Sequence, residues 1–186
     1  MMSLSVRSTI IILFQNQAMS RIAAALLLVC CLCVSKTYSQ EFEIPKDYKL
    51  VAKEDYAPYE KDVIAAAKWL ESASFNTESD KYAEVAEFVI KWISGSPTVN
   101  VNIYPVVMDL DKKNKGMLVL YMAAAAKYSL ENSYSKDMKA QQKAAILSMI
   151  NAYKTANGIK KDKQMDKIVK ANDDGKLDEW IDKNFK

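Results

Sequence analysis

Along most of this chain apolar residues recur at the three-to-four-residue spacing of an α-helix, and short polar joints interrupt the recurrence. Over 56–74, Tyr56, Tyr59, Val63, Ala66, Ala67, Leu70 and Ala73 make one apolar face, with Lys61, Asp62, Lys68 and Glu71 largely outside it. Asp55 stands where an N-cap belongs, and Pro58 is tolerated in a first turn. After a polar break at 76–79, Tyr82, Val85, Val89 and Trp92 form the stripe of a second helix over 80–94, widened by Phe88 and Ile93. Ser94-Gly95-Ser96-Pro97 stops it, with glycine and then proline as the signal. The segment Met117–Leu130 has a different pattern. It is apolar nearly all round, with Lys127 its one charge, which predicts a helix in the middle of a bundle. It is too short to cross a bilayer, which takes ~20 apolar residues.

A further helix is predicted over 135–156, with Met138, Ala145, Ile146, Met149, Ile150 and Tyr153 facing inward. Lys136, Lys139, Gln141, Gln142 and Lys143 are expected on its solvated side, and Asn157-Gly158 ends it. A short helix over 162–171 carries Met165, Ile168 and Val169, and a last one after Gly175 carries Leu177, Trp180, Ile181 and Phe185. The stretch 98–104 is ambiguous. Val99, Val101 and Ile103 alternate with Asn100, Asn102 and Tyr104, which is strand periodicity, yet the helical remainder offers no second strand to pair with. A short helix or an irregular segment is therefore expected ahead of a strand, with Pro105 interrupting either, and 112–116 reads as a charged turn. The expected fold is all-α, a compact bundle or array of five to six helices, with one ambiguous extended or short-helix segment near 98–107. Trp69 and Pro97 stand at the spacing of the Trp and Pro in a tetratricopeptide unit. The small and aromatic positions between them do not fit, and no second copy follows.

The first residues change the picture of where this domain works. Ile22–Val34 is an almost unbroken apolar run behind Arg21, followed by the small and polar Ser35-Lys36-Thr37-Tyr38-Ser39. This is the layout of a secretory signal peptide over 1–39, with Thr37 and Ser39 at positions −3 and −1 of the cut. Met19-Ser20-Arg21 begins a complete signal by itself, so Met19 is an alternative start. Cys30, Cys31 and Cys33 all lie in the apolar run, none behind the small residue that a lipid-accepting cysteine would need. They read as small hydrophobes of the signal. Residues 40–54, with Pro45 and alternating charges, read as an N-terminal arm leading into a single helical domain over 55–186, and periplasmic or secreted localisation follows.

Removing 1–39 removes Arg7, Arg21 and Lys36 from the 26 basic residues and none of the 23 acidic ones, so the charges of the remainder cancel. What remains has no Arg, no Cys and no His. A neutral chain without Arg is poorly built to grip nucleic acid. The missing Cys excludes disulfides, leaving packing to hold the fold. Imidazole bases, thiol nucleophiles and zinc sites of ordinary composition are excluded as well.

Few motifs carry chemistry. Asn172-Asp173-Asp174-Gly175-Lys176-Leu177-Asp178-Glu179 resembles the middle of a calcium loop, but Lys170 and Ile181 stand where its two anionic ends belong. The expectation is a glycine turn with Asp173 or Asp174 capping the last helix. Asp109–Gly116 matches less well, with Lys113 at its fifth position, and reads as a solvated turn. Glu84 with Glu87, and Glu41 with Glu43, are carboxylate pairs of the kind a glycosidase needs, better explained as lysine-paired surface. Trp69, Phe88, Trp92, Tyr121 and Trp180 are expected in the core. Lys160, Lys161, Lys163 and Lys167 are interleaved with Asp162 and Asp166 and read as a solvated face. No catalytic, cofactor-binding or metal-ligating residue is assigned, and no cofactor is expected. The reading that follows is a non-catalytic exported helical binding or interaction protein, its ligand or protein partner unnamed. The rivals are a small carboxylate-dependent hydrolase of cell-wall or extracellular polysaccharide, and a structural subunit of an envelope assembly that completes its fold with a partner through 98–107.

Overall fold

Three helix starts, those at 80, 138 and 163, are set by N-cap side chains that accept the first, otherwise orphaned, N–H groups. In the computed structural model, which describes residues 42–73, 77 and 79–186, Ser79 accepts from the Tyr82 N–H at 3.2 Å. Asp137 accepts from Ala140 at 3.0 Å, and Asp162 from Gln164 at 2.6 Å and Met165 at 3.3 Å. Seven α-helices result among the described residues: α1 (Glu60–Ser72), α2 (Asp80–Gly95), α3 (Pro105–Lys113), α4 (Met117–Glu131), α5 (Met138–Thr155), α6 (Lys163–Asp173) and α7 (Leu177–Asn184). The expected signal segment with its three cysteines, Glu41, and residues 76 and 78 of the polar break lie outside the described residues.

The all-helical expectation holds, with α3 the added element. Pro105 opens that helix instead of interrupting it, because a missing N–H costs nothing in a first turn. The stretch before it, 98–104, is neither helix nor strand. Two other expectations are corrected. Asp55 does not cap α1. Two single 3-10 turns, Lys53–Asp55 and Ala57–Tyr59, precede that helix, and the Asp55 carboxylate turns back to accept from Val51 N at 2.9 Å and Ala52 N at 2.8 Å. Gln141 and Gln142 are buried, not solvated. Gln142 Nε2 donates to the Tyr104 hydroxyl at 2.7 Å and Gln141 Nε2 to the Ser135 carbonyl at 2.8 Å.

Helix α4 is the centre. It packs against α1, α2, α3 and α5, and buries Met117, Leu120, Tyr121, Met122, Ser129 and the whole run Ala123–Ala126. Four consecutive alanines span more than one face of a helix, so neighbouring backbones can approach from different sides. Burial pushes the Tyr121 hydroxyl well above the ordinary phenol range. Helices α6 and α7 form a C-terminal pair lying on α5. Their seam carries Lys139–Asp182 at 2.7 Å, Lys143–Asp178 at 2.9 Å and Lys154–Asp173 at 3.1 Å. Phe185 closes this end, its ring 4.6 Å from Tyr104, 5.9 Å from Trp180 and 6.1 Å from Tyr121.

The turn before α4 is more than a solvated joint. Asp111 Oδ1 accepts from Gly116 N at 2.9 Å and Leu118 N at 3.1 Å, capping α4 from the preceding helix. Asn114 is buried, and its amide pins both backbone groups of Lys160, donating at 2.9 Å and accepting at 2.7 Å. Gly116 has φ 97°, and a Cβ there would overlap Tyr82. Among the described residues no helix is long and apolar enough to cross a membrane.

Candidate functional site

Of the carboxylates singled out by sequence, Glu87, Asp109, Asp173, Asp174 and Asp178 are paired with lysines. In the 172–179 loop, Asp174 pairs with Lys170 at 2.8 Å, while Asp173 and Asp178 face Lys154 and Lys143 on α5. The hydrogen bonds from those two lysines hold Asp173 and Asp178 below the usual carboxylate range. The expected cap on α7 is absent: Lys176 takes that position, with no side-chain bond. Ile181, at the place of a bidentate glutamate, is buried in the core. In the 109–116 loop Asp109 pairs with Lys112 at 2.7 Å, and Asp111 is spent on the cap of α4. Glu87 pairs with Lys91 one turn along α2, and Glu84 and Glu43 are exposed. Among the described residues no three acidic side chains gather to hold a metal ion.

The lysines at 160, 161, 163 and 167 are exposed, but Asp162 between them is buried. It caps α6, and its N–H donates to the Tyr153 hydroxyl at 2.7 Å, which itself lies 2.9 Å from Asp166. Of the aromatic residues expected inside, Phe88, Trp92 and Tyr121 are buried, whereas Trp69 and Trp180 lie half-buried against the core.

Among the described residues two depressions stand out. One, of about 270 Å³, lies where α1, α4 and α5 meet, and holds two carboxylates, Glu71 and Glu131. Each faces an ammonium: Lys127 lies 3.5 Å from Glu71 and Lys68 lies 3.0 Å from Glu131. Asn151 also donates to Glu71 at 3.4 Å. Glycoside hydrolysis needs one protonated carboxyl opposed to one free carboxylate, and this notch holds two neutralised pairs. Ser148 lines it too, but its Oγ is closed off from solvent and makes no hydrogen bond.

The second depression is a groove of about 600 Å³ between the N-terminal arm and α2, lined by Tyr48, Leu50, Tyr56, Ile90, Lys91, Ser94 and Gly95. The arm is held down by its aromatic rings. Phe42 and Tyr48 lie 6.3 and 5.1 Å from Phe88, Tyr48 lies 6.4 Å from Tyr59, and Tyr56 lies 6.3 Å from Trp92. The Trp92 indole N–H donates to the Tyr56 carbonyl at 2.9 Å, and the Tyr56 hydroxyl to the Leu50 carbonyl at 3.3 Å. Gly95 makes the approach of Tyr56 feasible, since a Cβ there would overlap the phenol. Lys91 is the groove's charge. Its ammonium is held above its ordinary range first by the hydrogen bond to Glu87 and then by the Tyr48 hydroxyl beside it.

Sequence reasoning named none of the arm's contributions to this groove. Tyr48 and Leu50 belong to no periodic pattern. The available signal was the density of large apolar residues, Phe42, Ile44, Tyr48 and Leu50, in a segment otherwise full of charges. Comparisons with protein families, with characterised proteins and with solved structures find no match to this chain.

Proposed function

We propose that this chain is an exported, non-catalytic binding protein that takes an apolar or aromatic ligand in the groove between its arm and α2. The observation that carries the reading is the lining of that groove: Tyr48, Leu50, Tyr56 and Ile90 as apolar walls, with Lys91 and Ser94 as the few polar groups. Concave, mainly apolar surfaces with sparse polar groups are what small-molecule and peptide sites are made of. The apolar leader at 22–34 supports export, and the pairing of Glu71 and Glu131 with lysines supports a binding role over hydrolysis.

The probe is 1-anilinonaphthalene-8-sulfonate, an apolar anion, titrated into the folded protein with Trp92 fluorescence as a second readout beneath the groove. Saturable binding is expected, weakened roughly tenfold, about 1.4 kcal/mol, in Ile90→Glu. The thermal midpoint of that variant should stay at the wild-type value, because Ile90 faces outward. Absence of saturable binding, or equal binding by the variant, would overturn the groove as a site. Release of reducing sugar from purified cell-wall polysaccharide, lost in Glu71→Gln, would establish the hydrolase instead.

A further inference from the structure

The stretch between α2 and α3 carries a set of hydrogen-bonding groups that the fold leaves unused. Among the described residues, 100–103 make no hydrogen bond through backbone or side chain, while both flanks are tied. On one side Val99 N–H donates to Ser96 Oγ at 3.1 Å. On the other the Tyr104 carbonyl accepts from Val107 at 3.0 Å and Met108 at 3.3 Å, opening α3. Tyr104 itself is extended, with φ −117° and ψ 149°, and Asn100, Asn102 and Ile103 are exposed. Natural proteins blunt free strand edges with charge, above all lysine. Here no charged residue occurs from Ser94 to Met108, and Ile103 and Met108 add exposed apolar surface at 47 % and 53 %.

The residue order points to what covers it. Reversed about Val101, the segment matches itself: Val101 meets Val101, Asn100 meets Asn102, Val99 meets Ile103 and Thr98 meets Tyr104. An antiparallel pair on a two-fold axis imposes that pairing, since an isologous contact sets residue i against j and j against i. The hydrogen bonds fit one register. With Val101 on the axis as a non-bonded pair, Asn100 and Asn102 of opposing copies exchange N–H and C=O bonds. Those groups are all free, and the bond from Val99 N–H to Ser96 survives. The two Val101 side chains, each half-buried against its own core, then stand at the closest cross-strand spacing, amides face amides, and the exposed Ile103 of each copy lies at the edge of the other's Val99, which its own core already buries.

We infer that residues 99–103 are a self-pairing edge, and that two copies of this chain associate through an antiparallel two-stranded ribbon centred on Val101. This goes beyond the groove, none of whose lining residues falls within 99–103.

The test is sedimentation equilibrium of the mature chain from micromolar to millimolar concentration, with two charged variants. One carries Asn100→Lys and Asn102→Lys, the other Asn100→Glu and Asn102→Glu. The wild type should show a reversible monomer–dimer equilibrium. Each variant alone sets like charges opposite one another twice across the axis, and should weaken the dimer by roughly tenfold or more. An equimolar mixture of the two should restore dimer as a heterodimer. Both variants should keep the wild-type helical circular dichroism, as the replaced side chains contact nothing through hydrogen bonds. A wild type that stays monomeric throughout, a lysine variant that dimerises as the wild type does, or a mixture that fails to recover would each overturn the proposal.

Discussion

Among the stretches that the described residues leave outside the α-helices, two have opposite fates. The arm and the two residues that follow it, 42–56, are closed by side chains: Phe42 and Tyr56 are buried, Tyr48 lies against Phe88, and Asp55 ties down two backbone N–H groups. The 98–104 stretch is fastened at its ends and open in its middle. Irregularity alone therefore says little about availability. Aromatic anchors make one stretch part of the core. The other has only Val99 buried, and its alternating pattern leaves backbone groups to water or to a partner.

The central helix sets the scale for what a substitution should cost. Leu120 is fully buried at the middle of α4, and Leu120→Ala should cost roughly 2–5 kcal/mol in urea unfolding by leaving a cavity. A domain of this size has ~5–15 kcal/mol in all. An effect as small as that of a surface substitution such as Lys143→Ala, ~0.5 kcal/mol or less, would remove α4 from the centre.

Next comes the arm. If it belongs to the core, Phe42→Ala should cost about 3 kcal/mol in the same experiment. Ile103→Ala in the open stretch should leave the dilute monomer within about 0.5 kcal/mol of the wild type. Equal costs at the two positions would erase the contrast.

The smallest expected effect is electrostatic. The N–H groups of Ala52 and then Val51 hold Asp55 below its ordinary carboxylate range. Its folded pKa is thus lower than the unfolded value of about 3.9, so its stabilisation is complete above that pH and fades as pH falls through the folded value. Asp173 and Asp178, lowered by lysines, add to the same acid limb. Asp55→Asn should make stability less steep below about pH 4 and leave the Asp173 and Asp178 parts in place. An unchanged acid limb would show that the carboxylate does not hold the arm.

The contrast also explains which features were legible in sequence. Helix α4 was readable because it has no polar face, and Val85, Val89 and Trp92 because their spacing is helical. Gln141 and Gln142 were misplaced because local periodicity counts an amide as solvated. Their partners, the Ser135 carbonyl and the Tyr104 hydroxyl, are supplied by the turn before α5 and by the stretch before α3. Asp55 looked like a forward cap because residue type and position agree with one, whereas α1 starts five residues later. Helix α3 was missed because nine residues give little period and its opening proline reads equally as a break. The groove was invisible because one of its walls comes from an aperiodic arm that meets α2 only in three dimensions.

A core built around α4 and closed over by the arm, with 100–103 left open, should show itself in residue-resolved amide hydrogen exchange. In dilute solution the amides of α4 should exchange slowest, those of Val51 and Ala52 should be slowed by Asp55, and those of 100–103 should exchange at rates near an unfolded peptide. At high concentration the amides of Asn100 and Asn102 should slow while the rest stay unchanged. Protection at 100–103 in the dilute monomer, or exchange in α4 as fast as in the exposed ends of α6 and α7, would contradict the account.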